Sequence, residues 1–515
     1  MKLKNLLLTL VIIIPFFSFG QYGTVKSIKK ILSAGTGSLG LFGVYYDLGS
    51  EGTSIGDLDG NGVIDIATRV VGEKNINNIN YYYGYLVVVL MHSNGMVKSH
   101  KLIGSGAGIS GISISDFFGS SIVNMGDLNN DGVNDIAVGD IYAGASNSQT
   151  GAVTFVYLNK DGSVKDFKQI NRDVISSLPN NGYFGNSLTN LGDLDGDGYK
   201  DIAVSSSEKL NGKSGCVYIL FLDSIQNIKK IRKIGVNSNG LSGDFSNDLA
   251  LGSGVSNIGD FDKDGVTDIA FKTVYKKDSV TNLSGIMIVY LKSDGTVKSF
   301  ERINHLSNGL HDLIKDDGFG YRIVRLNDLD GDQVNEFAVG ATNDTTYNVG
   351  RGGSVRILFM NADGTVKSVQ KIDNLSGNFN QPIANRDFFG SIGPLGDFNN
   401  DSIPDLFVGA SGNDEGGSSK GALYLLMLNG VPSVGLNDVS ANRMQVNLYP
   451  NPAKHQVQVS CPYPVKQITI TDVTGNVIHQ QNTNESIQIQ TWQAGMYYLQ
   501  VNTTQGTAVQ KLVKW

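Results

Sequence analysis

Six copies of one acidic nine-residue segment, almost evenly spaced, limit what this chain can become. They begin at Asp57 (DLDGNGVID), Asp127 (DLNNDGVND), Asp193 (DLDGDGYKD), Asp260 (DFDKDGVTD), Asp328 (DLDGDQVNE) and Asp397 (DFNNDSIPD). The intervals are 70, 66, 67, 68 and 69 residues. Self-similarity at a fixed period marks a repeat architecture, in which each unit buries its faces against its neighbours.

Each unit reads as four short strands, one before the acidic loop and three after it. Ahead of five of the six loops stands a Phe-Gly-like pair: Phe118-Gly119, Phe184-Gly185, Leu251-Gly252, Phe319-Gly320 and Phe389-Gly390. Behind it come an apolar run such as Asp135–Gly139, a second such as Gly151–Leu158, and a third beginning near Val164, Val297 or Val366. The runs are rich in Val, Ile, Tyr and Phe and are bounded by Gly, Asn and Asp, which is strand and turn chemistry. Four antiparallel strands per unit describe a propeller blade. The sixth unit lacks its last strand, and a matching segment, Gly23-Thr24-Val25-Lys26-Ser27-Ile28-Lys29-Lys30, opens the array. The expectation is an all-β chain with a six-bladed (alternatively seven-bladed) propeller, closed by that N-terminal strand pairing into the last blade. Closure removes the open edges that an open solenoid would keep.

Loop positions one, three, five and nine are Asp, Asn or Glu in every copy, and position seven can offer a backbone carbonyl. The candidate ligands are Asp57, Asp59, Asn61, Val63 and Asp65 in the first loop, and Asp127, Asn129, Asp131, Val133 and Asp135 in the second. The third has Asp193, Asp195, Asp197, Tyr199 and Asp201, and the fourth Asp260, Asp262, Asp264, Val266 and Asp268. The fifth has Asp328, Asp330, Asp332, Val334 and Glu336, and the sixth Asp397, Asn399, Asp401, Ile403 and Asp405. Hard oxygen ligands in this number suit up to six Ca²⁺ ions, whereas Mg²⁺ demands a stricter octahedron. Asx-rich turns without metal are the competing reading, but three or four gathered carboxylates repel unless neutralised. Position six is Gly62, Gly132, Gly198 and Gly265 in the first four loops but Gln333 and Ser402 in the last two. If that position needs positive φ, loops five and six should bind more weakly. The ions are expected to be structural, since each loop joins the first two strands of its blade.

The remaining features set the compartment. Lys2 and Lys4 precede an apolar run from Leu6 to Phe17, and Ser18-Phe19-Gly20 offers a cleavage site, so residues 1–20 read as a signal peptide. The run is too short for a comfortable membrane anchor. A formal charge of −7 without basic blocks argues against nucleic acid as the partner. Glycine, 64 of 515 residues, is well above its usual share of about 7%, as many tight turns require. Cys216 and Cys461 fall in different expected domains and are not expected to bridge.

Phe-Gly, DxDxDGxxD and an apolar strand ending in Gly together resemble the FG-GAP repeat, the blade unit of the integrin α-subunit propeller. The resemblance covers roughly residues 24–430. It implies calcium loops on one face of a disc and partner docking largely on the other. From residue 436 the texture changes: Tyr449-Pro450-Asn451-Pro452-Ala453 opens a series of short alternating strands ending in Lys511-Leu512-Val513-Lys514-Trp515. This resembles the C-terminal sorting domain of type IX secretion, and alternation of this kind suits a small β-sandwich; an ordinary immunoglobulin-like adhesive module is the competing reading. The expected layout is a signal peptide (1–20), a propeller (21–430), a linker (431–440) and an immunoglobulin-like sorting domain (441–515). That layout implies Sec export, passage through the type IX machinery and a secreted or bacterial cell-surface location, with no transmembrane span.

Enzyme signatures are weak. Gly52-Thr53-Ser54-Ile55-Gly56 fits G-x-S-x-G but falls in a predicted strand with no helix after it. Gly417–Gly421 and the GxGxxG at Gly35–Gly40 lack the flanking helix those motifs need. The expectation is a binding or adhesion module for an extracellular protein or glycan, with no catalytic residue. The alternative is a secreted polysaccharide hydrolase or lyase with a site on the propeller axis.

Overall fold

A computed structural model describes residues 22–33, 39, 45–76, 79–110, 117–144, 148–210, 213–243, 245, 248–276, 282–304, 310, 317–345, 350–431, 446–461, 464–472, 477–483, 485–503 and 506–514. The expected signal peptide and the Gly35–Gly40 motif lie outside these, apart from Leu39. The chain divides into two compact units, residues 1–433 and 434–515. Every regular element among the described residues is a strand.

In the first unit the described strands fall into six groups of four antiparallel strands, here called blades; the third and fourth groups are joined into one eight-stranded sheet by a parallel bridge, Ser214 to Ala250, and the first carries two extra short strands, Tyr45–Tyr46 and Gly108–Ile109. Blade one is Gly52–Gly56, Asp65–Ile76, Ile79–Met91 and Val97–Ser105; blade two is Phe118–Gly126, Asp135–Asp140, Ala152–Leu158 and Val164–Ile170. Blade three is Leu188–Gly192, Asp201–Leu210, Lys213–Leu222 and Ile228–Ile234; blade four is Asp248–Gly259, Asp268–Lys276, Asn282–Leu291 and Val297–Ile303. Blade five is Phe319–Arg325, Phe337–Ala341, Ser354–Met360 and Val366–Ile372. Blade six takes Phe389–Gly396, Asp405–Ala410 and Ala422–Leu428 from the end of the array and Val25–Leu32 from its start. That last strand pairs antiparallel with Ala422–Leu428, Ile28 opposite Leu426 and Ile31 opposite Leu423.

Burial explains the ring. The second and third strands of a blade are buried on both faces, as in Asp405–Ala410 and Ala422–Leu428, because each blade is covered by a neighbour on either side. The outer strands alternate, as in Val297–Ile303, since only one face is covered. Six apolar cores result, each built from two successive blades. The core holding Ile31, Leu423, Ile66 and Val87 joins blade six to blade one and completes the circle. Polar contacts run the same way: Asn124, Asn190 and Asn257 each donate a side-chain hydrogen bond to a first-strand carbonyl of the preceding blade (Ser54 O, 3.2 Å; Asn124 O, 3.2 Å; Asn190 O, 2.7 Å). Close packing between blades needs glycine, as at Gly409, where a Cβ would meet Gly49 O at 1.7 Å, and at Gly393, where it would meet Gly52 O at 2.0 Å.

The second unit is a small sandwich. Asn447–Tyr449, Gln456–Ser460 and Ile487–Gln488 form one sheet; Val477–Gln481, Val465–Asp472, Gly495–Thr503 and Gly506–Lys514 form the other. Val457, Val459, Ile468, Ile470, Leu499, Val501 and Leu512 share one core. Asn451 of the YPNPA segment clamps the last strand, donating to Lys511 O (2.7 Å) and accepting from Val513 N–H (2.9 Å).

Candidate metal centres

The acidic loops connect the first two strands of each blade. Their shape follows from one residue. The position-one Asp accepts backbone N–H groups of positions five and six with its two oxygens: Asp193 takes Asp197 N (2.9 Å) and Gly198 N (2.7 Å), and Asp260 takes Asp264 N (2.9 Å) and Gly265 N (2.8 Å). This winds the chain into the left-handed region at position six, with φ of +83°, +81°, +92° and +91° at Gly62, Gly132, Gly198 and Gly265. Space is open around all four glycines, so φ and not crowding selects glycine. Gln333 (φ 68°) and Ser402 (φ 65°) adopt the same turn at some conformational cost.

Position nine anchors the loop to the third strand. Asp65 accepts Leu58 N (2.9 Å) and Met91 N (2.8 Å), and Asp135, Asp201, Asp268 and Asp405 repeat both bonds in their own blades. Burial among neighbouring carboxylates pushes these acids up, to about 6 at Asp65, Asp135 and Asp201 and about 7 at Asp268 and Asp405. Glu336, one methylene longer, keeps the bond from Leu329 N (2.5 Å), while its Oε1 is buried with no hydrogen-bond partner; burial raises it to about 8.

Four loops bring three or more carboxylates together, with one oxygen of each within 4.8 Å of the others. They are Asp57, Asp59 and Asp65; Asp193, Asp195 and Asp197; Asp260, Asp262 and Asp268; and Asp328, Asp330, Asp332 and Glu336. Loops two and six, where Asn129 and Asn399 replace a carboxylate, form no such group among the described residues. The fullest cluster belongs to the fifth loop, which lacks the position-six glycine. The donors fit a hard divalent cation. Asp59 Oδ1 and Asp330 Oδ1, like Glu336 Oε1, are buried without hydrogen-bond partners among the described residues, and an unpaired buried carboxylate oxygen is costly.

One participant was missed in the sequence. The second residue of each outer strand, or its neighbour, is a lysine reaching back to the loop of its own blade. Lys98 meets Asp59 (2.6 Å), Lys165 Asp131 (2.7 Å), and Lys26 Asp401 (2.8 Å). Lys298 meets both Asp262 (2.7 Å) and Asp264 (2.6 Å), Lys367 both Asp330 (2.8 Å) and Asp332 (2.9 Å), and Lys229 both Asp195 (3.8 Å) and Asp197. The signal was present as the lysine of the recurring TVKS-type segment.

The axis carries different chemistry. Arg322 of blade five donates to both oxygens of Glu51, just before blade one (Nε to Oε2, 2.8 Å), and to Ser120 O of blade two (2.9 Å). Blades two and five are opposite in a ring of six, so this side chain spans the centre. Both Glu51 oxygens are thereby occupied.

Comparison with known proteins agrees with both units. Residues 389–426 match the FG-GAP repeat, and residues 447–515 match the secretion system C-terminal sorting domain. The chain thus combines an all-β, propeller-like unit containing a segment that matches the FG-GAP repeat with a C-terminal domain that matches the sorting domain, which indicates type IX export to a secreted or cell-surface location. Its relatives include integrin alpha-PS5 of Drosophila melanogaster (32% identical over 158 residues, 29% of this chain and 14% of the relative) and integrin alpha-3 of Mus musculus (29% over 164 residues, 31% and 14%). Integrin alpha-5 of Xenopus laevis is 42% identical over 91 residues, 17% of this chain and 8% of the relative. The match thus spans about a seventh or less of those proteins' length.

Proposed function

We propose that this protein is a calcium-binding propeller, delivered by its sorting domain to the outside of the cell, that works as a binding or adhesion module for an extracellular protein or glycan. The observation that carries the calcium reading is the set of four carboxylate clusters with buried, partnerless oxygens at Asp59, Asp330 and Glu336. In those loops the carboxylates would hold the ion, and the position-seven carbonyls of Val63, Tyr199, Val266 and Val334 are the candidates to complete the shell. The ion would neutralise the loop and pin the first hairpin of each blade. The integrin-type resemblance supports the adhesive role, with the ligand on the face opposite the acidic loops. The axial enzyme reading is weakened by the Glu51–Arg322 pair, which holds one of the acids in that neighbourhood in an ion pair.

The reading is tested by probing a glycan and matrix-protein array with the propeller, with and without calcium. Calcium-dependent retention on a defined ligand class supports it. Release of sugar from a polysaccharide panel, with no retention, would replace it with the enzyme reading.

A further inference from the structure

Every acidic loop is met by a lysine from the fourth strand of its own blade, although 33–50% of each lysine side chain is exposed and free to point elsewhere. A single surface ion pair of this kind carries little weight. Six at equivalent positions, in sequences that otherwise vary, require a shared cause.

The carboxylate geometry suggests one. In Asp59, Oδ2 holds Lys98 while Oδ1 is buried and has no hydrogen-bond partner. In Asp330, Oδ2 holds Lys367 while Oδ1 is likewise buried and partnerless. Each of these carboxylates has one oxygen turned to the lysine and another left over, so two cations can share it. Two cations drawing on the same anions each gain less when the other is present, and they repel one another.

We propose that the fourth-strand lysine is a resident counter-cation of each acidic loop, set in opposition to the metal: it steadies the loop when no ion is bound and weakens the loop's hold on the ion. This rests on the calcium reading of the loops. The opposition is reciprocal, because a coupling free energy acts equally on both partners. It is graded across the disc. Lys229, Lys298 and Lys367 each reach two carboxylates, whereas Lys26, Lys98 and Lys165 reach one because an asparagine stands at position three or five of their loops. The lysines thus set how readily each loop releases its ion without letting the empty loop spring apart.

The test compares wild type, K298M, K298R and K98M in the full mature chain, by melting in EDTA and by calcium titration at low ionic strength. K298M should melt below wild type in EDTA and bind calcium at one site about fivefold more tightly. K298R, which keeps the charge, should match wild type in both, and K98M should shift in the same directions by less. Calcium binding by K298M that is weaker than or equal to wild type would overturn the proposal, as would K298R behaving like K298M. Should the wild type take up no calcium at all, the metal reading falls, and the EDTA melts still decide on the lysine: K298M melting with wild type would sink it.

Discussion

Blade five holds two clusters of acids, one at each end of the same four strands, and they are balanced in different ways. At the loop end Asp328, Asp330, Asp332 and Glu336 converge, and Lys367 reaches only two of the four. At the other end Asp317, Asp344 and Asp373 lie around Arg356 and Lys371, and every carboxylate has a cation within 4 Å: Arg356 to Asp344 (3.3 Å) and Asp317 (3.9 Å), Lys371 to Asp344 (3.0 Å) and Asp373 (3.0 Å). The acids answer accordingly. Burial drives Glu336 up to about 8, whereas Ser354, Arg356 and Lys371 hold Asp344 below the ordinary carboxylate range against the pull of burial, and Asp373 is lowered in the same way by Ser376, the Leu375 N–H and Lys371. The ends differ in how many carboxylates have a cation side chain within 4 Å: all three at the Arg356 end, two of four at the loop end.

The largest test of that contrast is chelation. Four occupied loops at about 2.7 kcal/mol each, for calcium at a hundredfold over its dissociation constant, would be lost in EDTA. The melting temperature should fall by on the order of 10 °C. A drop of a degree or less would place both ends in the self-balanced class. Next in size is R356M, which takes a cation away from buried Asp344 and Asp317 and should cost about 3 kcal/mol. That loss should be equal with and without calcium, because the cluster draws on no metal; a calcium-dependent loss would break the comparison.

How much of this the residues disclosed beforehand depends on whether a feature repeats. The six loops, the four-strand unit and the return of Val25–Leu32 to blade six were legible because each recurs or completes a recurrence. Strands of the second unit were legible through alternation, as at Gln456–Ser460. The lysines recurred too, but their meaning needs the register between second and fourth strands, which brings Lys98 onto a loop 39 residues away. The Glu51–Arg322 bridge joins residues 271 apart, and Arg356 stands where blades two, three and six have Thr154, Tyr218 and Tyr424, so neither left a pattern to find. The turn at Gln333 holds positive φ (68°) without glycine, its N–H donating to Asp328 (2.7 Å).

Smaller effects sharpen the contrast further. E336Q removes a buried carboxylate that repels its neighbours, so without calcium it should stabilise by about 1 kcal/mol. With calcium it should destabilise by removing a ligand. The same sign in both conditions would deny Glu336 a place in the site. The acid limb should report the opposite end. Groups held below their ordinary value stabilise the fold above about pH 4, and that contribution is lost as pH falls through the depressed value. D373N should therefore flatten the loss of stability below about pH 4 in urea titrations, and should do so whether or not calcium is present.

Anomalous diffraction from crystals grown in millimolar calcium would judge the central claim most directly. Cation peaks should stand within the Asp57, Asp193, Asp260 and Asp328 loops, and none should stand beside Arg356. Ordered loops with no cation at any of the four would contradict it.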